Sequence, residues 1–125
     1  MIKLYTDAAT KGNPGPSGIG ILIITDGDQL QKHRALPEMS NHQAEFEAAI
    51  AGFSALTAAG LSGLVSYYSD SKIVIDAINK AYAKHYGAEI ARLLDAMAPF
   101  TVFAQWVPDK ENSAHGLAQQ GLREA

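Results

Sequence analysis

Three acidic residues in this sequence stand where carboxylates need a reason: Asp7, Glu45 and Asp70. Ile2 to Thr6 is a short β-rich run that stops at Asp7, and Leu64 to Ser69 is another that stops at Asp70. If the second strand lies parallel beside the first, reached by a right-handed helical crossover, both aspartates emerge together at one edge of the sheet, where open α/β sheets bind ligands. Glu45 falls in the first turn of the helix that would make this crossover, on a face shared with Ala48, Ala49 and Gly52. A glutamate on such a face is costly to bury unless a positive charge compensates it. Three converging carboxylates with no cysteine available point to hard divalent cations, Mg²⁺ or Mn²⁺. Two such ions about 4 Å apart would suit phosphodiester hydrolysis. Taken singly, each residue has a blander reading: Asp7 a strand-end residue, Asp70 a helix cap, and Glu45 a capping-box carboxylate.

The elements that must position these residues can be read from pattern. After the first strand, Ala8 to Gly18 holds three glycines with Pro14 and Pro16 and reads as a loop. Gly18 to Ile24 is a strand apolar almost throughout, Asp26-Gly27-Asp28 a hairpin turn, and Gln29 to Leu36 a third strand. Asn41 to Ala59 has helical spacing with Ser40 or Asn41 as cap, and Leu64 to Ser69 is the fourth strand. Helices over Ser71–Ala81 and Gly87–Met97, a fifth strand over Thr101–Val107, a Pro108–Asn112 loop and a last helix over Ser113–Arg123 complete the chain. Gly116 and Gly121 both weaken that last helix by propensity. The order βββαβααβα implies an α/β mixed sheet with helices on its faces.

Composition bounds the rest. At 125 residues the chain is expected to be one domain, residues 1–125. No cysteine is present, so disulfides, thiolate zinc sites and thiol nucleophiles are excluded, and a reducing cytoplasmic setting fits. No apolar run reaches membrane-spanning length and no charged leader is evident, so membrane and export readings are not expected. The net charge is −3, divided almost evenly: four cationic against six acidic residues up to Ser62, then six against seven. Any nucleic acid must therefore be held by a local patch or through cations. One such patch is Tyr82, Lys84, His85 and Tyr86, where cations and aromatics alternate, with Lys84 the candidate phosphate contact and a solvated linker the blander reading. Gly12 to Gly20 is no phosphate loop, since a strand follows it and Gly-Lys-Ser/Thr is missing; no Gly-x-Ser-x-Gly elbow occurs either. Trp106 reads as core or as a wall of the site.

Several spaced motifs carry a resemblance. The segment from Tyr5 to Gly20, with Thr6-Asp7-Ala8 and Lys11-Gly12-Asn13-Pro14-Gly15, looks like the opening of type 1 ribonucleases H. Ser40-Asn-His-Gln-Ala-Glu-Phe46 resembles that family's Thr-Asn-Asn-Gln-Ala-Glu-Tyr segment, and Tyr68-Ser-Asp-Ser-Lys72 its third acidic motif. Trp106-Val-Pro108 is similar to its last strand and Ala114-His-Gly-Leu-Ala118 to its closing Ala-Asp-x-Leu-Ala helix. The match runs from Met1 to Leu122 in the right order.

The resemblance implies a ribonuclease H-like fold, a five-stranded mixed sheet of three antiparallel strands and two parallel additions with helices on both faces. It implies hydrolysis of the RNA strand of RNA–DNA hybrids with two divalent cations, Mg²⁺ or Mn²⁺. By position, Asp7, Glu45 and Asp70 become metal ligands and catalytic residues. Asn13, Asn41, His42, Gln43, Ser71 and Lys72 become hybrid-contacting positions, in a groove that must sense the 2′-OH. Two departures stand out: His42 replaces the second Asn, and His115 replaces the fourth carboxylate, with Asn112 three positions ahead of it rather than four. His115 would act at the edge of the site, aiding product release or contacting the second metal. A monomer is expected. A rival reading, motivated by His115 and the acidic charge, is a catalytically weakened nucleic-acid-binding or interaction module. A two-carboxylate glycosidase also stays open, and metal dependence separates it from the nuclease.

Overall fold

A computed structural model describes all residues, Met1–Ala125. Its elements are β1 (Ile2–Thr10), β2 (Gly15–Thr25), β3 (Asp28–Met39), α1 (Asn41–Ala58), β4 (Gly63–Ser69), α2 (Lys72–Lys80), α3 (Gly87–Met97), β5 (Phe100–Trp106), a 3₁₀ turn (Asp109–Glu111) and α4 (His115–Arg123). The sheet order is β3-β2-β1-β4-β5. β1, β2 and β3 pair antiparallel, while β4 joins β1 and β5 joins β4 in parallel. The expected five-stranded mixed sheet is the sheet observed.

The segment read as a loop from Ala8 to Gly18 is mostly strand. Ala8, Ala9 and Thr10 pair with Ile19, Gly18 and Ser17, and the Lys11 amide donates to the Pro16 carbonyl at 2.9 Å. Glycine and proline punctuation marks the turn, but long cross-strand pairing overrides local propensity on either side of it. Asp7 therefore lies inside a strand rather than at its end. What ends beside it is the pairing with β4, whose last register pair is Tyr5 with Tyr68. Continuing that register two residues places Asp7 opposite Asp70, where the two strands part.

Helices cover both faces. Leu4 and Thr6 point toward α1, where a Cβ on Gly52 would meet the Thr6 Cγ2 at 2.6 Å, so the helix sits close to the sheet only because that residue is glycine. Val65, Tyr67, Phe53, Leu56 and Leu93 lie in the same buried core, with Tyr67 donating to or accepting from Thr6 at 2.6 Å. On the opposite face α4 packs on β2 along glycines: a Cβ on Gly18 would lie 2.0 Å from the Leu122 amide nitrogen, and one on Gly20 would lie 2.6 Å from the Ala114 carbonyl. Since Gly20 is the register partner of Asp7, this close approach brings the start of α4 to that carboxylate. No helix is long and apolar enough to cross a membrane.

Candidate active site

Three different elements deliver the acidic groups. Asp7 comes from β1, Asp70 from the end of β4, and Glu45 from α1, in its second turn rather than its first. The N-cap of α1 is Ser40, whose Oγ accepts from the Gln43 amide at 3.1 Å, so the residue three beyond the cap is Gln43 and Glu45 takes no part in a capping box. Asp70 is not a cap either, because Ser71 caps α2, accepting from the Val74 amide at 3.4 Å. One carboxylate oxygen from each of Asp7, Glu45 and Asp70 lies within 4.8 Å of the others.

Electrostatically this cluster has no lysine or arginine partner. Burial raises the Asp7 pKa above the ordinary carboxylate range, opposed by the His115 contact and the Ala8 amide. Glu45 is pushed well above its usual value by burial first, then by the charges of Asp7 and Asp70. Asp70 is pushed up to about 7 by burial, then by Asp7 and Asp109. Glu45 Oε1 and Asp70 Oδ2 are buried with no hydrogen-bond partner. No lysine or arginine pairs with any of the three; Lys72 Nζ instead lies 4.8 Å from the centre of the Trp106 ring. Orphaned hard oxygen atoms that repel one another are the donor set of a divalent cation, and these residues fit one.

His115 meets the cluster from the α4 side. Its Nδ1 is 3.0 Å from Asp7 Oδ2 and 3.6 Å from Asp109 Oδ1, and its side chain is half exposed. Two residues given no role from the sequence complete this edge. Asn112 is buried, donating from Nδ2 to the Thr6 carbonyl at 2.9 Å and accepting from the Ala114 amide at 3.0 Å, which ties the loop before α4 to β1 just ahead of Asp7. Asp109 stands on the exposed 3₁₀ turn against His115, and its only sequence signal was a carboxylate in the loop leading into the His115 helix.

The positions expected to contact nucleic acid divide into groups. Asn41, His42, Ser71 and Lys72 line, with Glu45 and Asp70, a cleft of about 490 Å³ that Trp106 closes on one side. Trp106 is therefore a wall and not core: it is 41% exposed and donates from Nε1 to the Asp70 carbonyl at 2.9 Å. Asn13 Oδ1 accepts from the Asn41 amide at 3.0 Å, which fixes the β1–β2 turn to the start of α1. Gln43, in the first turn of α1, is half-buried. Ser71 is buried with its Oγ engaged in the cap. Lys84 lies apart, on the Ala81–Tyr86 link beside a smaller hollow of about 270 Å³. Tyr86 couples that link to α1, stacking on Phe46 with centroids 5.2 Å apart and meeting His42 edge-on at 6.3 Å.

The RNase H family model matches residues 1–116. A protein of Enterococcus faecalis named "Putative hydrolase EbsB" is 41% identical over 130 residues, spanning 98% of this chain and 95% of that protein. A ribonuclease H of Trichodesmium erythraeum is 36% identical over 87 residues, 70% of this chain and 54% of that protein, so the chain matches about half the length of such curated ribonucleases H. Among solved structures, RNase H1 of Halobacterium salinarum superposes with a TM-score of 0.89 at 26% identity, covering 99% of this chain and 98% of that one. LC11-RNase H1 in complex with an RNA/DNA hybrid shares the fold at a TM-score of 0.89 and 24% identity, over 99% and 98% of the two chains.

Proposed function

The chain belongs to the RNase H family, and from that premise we propose that residues 1–125 form a single ribonuclease H-like domain that hydrolyses the RNA strand of RNA–DNA hybrids. The reading is carried by one observation: Asp7, Glu45 and Asp70 converge within 4.8 Å, with Glu45 Oε1 and Asp70 Oδ2 buried and satisfied by no protein group. These three hold two divalent cations, Mg²⁺ or Mn²⁺. When bound, the cations supply positive charge to the phosphoryl oxygens and to the attacking water.

The chain's own residues do the rest. Asp7 stands between the other two carboxylates and His115, so it anchors both halves of the site. The cleft lined by Asn41, His42 and Lys72 receives the hybrid backbone, and Lys72, held over Trp106, meets a phosphate there. Asn13 and Asn41 have their side-chain oxygens engaged by backbone amides, which leaves their amino groups as donors toward the sugar edge. Ser71 lines the same cleft, and Gln43 adds a contact from the first turn of α1 beside it. Lys84 adds a phosphate contact from the Ala81–Tyr86 link. His115, at the rim, contacts the second cation or aids product release. The protein acts as a cytoplasmic monomer.

The test is incubation with a labelled RNA–DNA hybrid, with and without Mn²⁺ or Mg²⁺, and duplex DNA as control. Metal-dependent cleavage of the RNA strand alone is expected. A folded protein that binds hybrid without cleaving it in either metal would leave the weakened-module reading, and cleavage that needs no cation would reject the metal site.

A further inference from the structure

We propose, on the foundation of the metal-dependent reading above, that Asp109 supplies the fourth carboxylate of this site and that a divalent cation is held between Asp7 and Asp109 with His115 Nδ1 as a nitrogen donor.

Asp7 belongs to two donor groups at once. One is Asp7 with Glu45 and Asp70; the other is Asp7 with Asp109 and His115, whose donor atoms also lie within 4.8 Å of one another. The two groups share the buried Asp7 carboxylate. Within the first group, Asp70 Oδ2 and Glu45 Oε1 are buried without a hydrogen-bond partner. Adjacent donors on an octahedral ion with bonds of about 2.1 Å lie about 3.0 Å apart. His115 Nδ1 stands 3.0 Å from Asp7 Oδ2 and 3.6 Å from Asp109 Oδ1, so the three atoms already have nearly the spacing of neighbouring ligands.

The backbone holds them there. Asp109 opens the 3₁₀ turn, which closes with the Glu111 and Asn112 amides donating to the Pro108 and Asp109 carbonyls at 2.9 and 3.0 Å. Asn112 then fastens the turn to β1 at Thr6, and the His115 amide donates to the Asn112 carbonyl at 3.0 Å. The loop and the helix start are therefore fixed to the strand that carries Asp7. His115 at the head of α4 brings no carboxylate, and Asp109 brings one from the preceding turn. With Asp7, Glu45 and Asp70 the site presents four carboxylates and one nitrogen, a donor that Mn²⁺ tolerates better than Mg²⁺.

The deciding measurement is calorimetric titration of the full chain with MnCl₂, without nucleic acid, for wild type, Asp109→Asn, Asp109→Glu and Glu111→Gln. Circular dichroism confirms that each is folded. Wild type should show two binding events; Asp109→Asn should weaken the weaker one about tenfold or more and leave the tighter one in place. Asp109→Glu should restore much of the loss, and Glu111→Gln, on the same exposed turn, should match wild type. A single event in wild type, or two events unmoved by Asp109→Asn, overturns the proposal. Mn²⁺-dependent hybrid cleavage beside unmoved affinities would remove Asp109 alone and leave the nuclease standing. Absence of any Mn²⁺ binding would remove the metal site itself.

Discussion

Two glycines of α4, Gly116 and Gly121, should respond in opposite directions to the same substitution. Helix propensity alone favours alanine over glycine by about 0.5–1 kcal/mol at either position. Around Gly116 an added Cβ meets nothing within 4 Å, so Gly116→Ala should realise about 0.5 kcal/mol of stabilisation near the helix end. At Gly121 the Cβ would lie 2.7 Å from both the Arg34 and the Ile19 carbonyl oxygens and 3.0 Å from the Ile19 amide nitrogen. Those are main-chain atoms of paired strands β2 and β3, which cannot rotate away as a side chain can. Either α4 backs off the sheet by about 0.7 Å or the strands bend, and overpacking of this kind costs about 1–3 kcal/mol. Net of the propensity gain, Gly121→Ala should lose about 1–2 kcal/mol, a fall in Tm of roughly 4–8 °C for a chain of this length. Since α4 also carries His115, a displaced helix should lower hybrid cleavage, whereas Gly116→Ala should leave the helix seated. Urea and thermal unfolding followed by circular dichroism, with the cleavage assay alongside, decide the matter. Equal effects at the two positions, or a Gly121→Ala protein at least as stable as wild type, would refute the packing argument.

Other expectations follow from the acid cluster and the cleft. Asp70→Asn should abolish hybrid cleavage with the fold intact, because it keeps the shape and removes a ligand charge; unimpaired cleavage by the folded variant would reject the assignment. The folded-state pKa of Asp70, raised to about 7, favours the protonated form, so its contribution to stability is full below the unfolded carboxylate value and is lost as pH rises through about 7. Without metal, wild type should therefore lose about 1–2 kcal/mol between pH 4 and 8 from this partly exposed group after allowance for solvent screening, and Asp70→Asn should lose less, as measured by urea unfolding across pH. His115→Asp should raise Mg²⁺-supported cleavage relative to Mn²⁺, read as the ratio of initial rates in the two metals; an unchanged ratio would show that His115 does not shape the metal site. Lys84→Ala should weaken hybrid binding slightly and lower the slope of log K against log salt by about one phosphate contact, and an unchanged slope would return Lys84 to solvent.

The sequence by itself determined the element order and marked the three carboxylates that a parallel placement of β4 beside β1 would unite. These were legible because they depend on local period and on a handedness rule that leaves few topologies. Strand limits near the glycine-proline turn were not, since pairing across β1 and β2 carries order through residues whose propensities favour a loop. Nor was the burial of the acids: a spacing pattern shows that Asp70 and Glu45 approach one another, but only packing shows that Asp70 Oδ2 and Glu45 Oε1 lack any partner. Asp109 and Asn112 gave little signal, because their roles come from contacts with β1 and α4, more than a hundred residues away in one case and six in the other. The glycines of α4 mark the same boundary. To the sequence Gly116 and Gly121 are equal weaknesses in one helix; tertiary structure makes one dispensable and the other the point at which the helix touches the sheet. Propensity is a property of the residue and its neighbours in the chain, whereas close approach is a property of two backbones that the chain brings together only on folding.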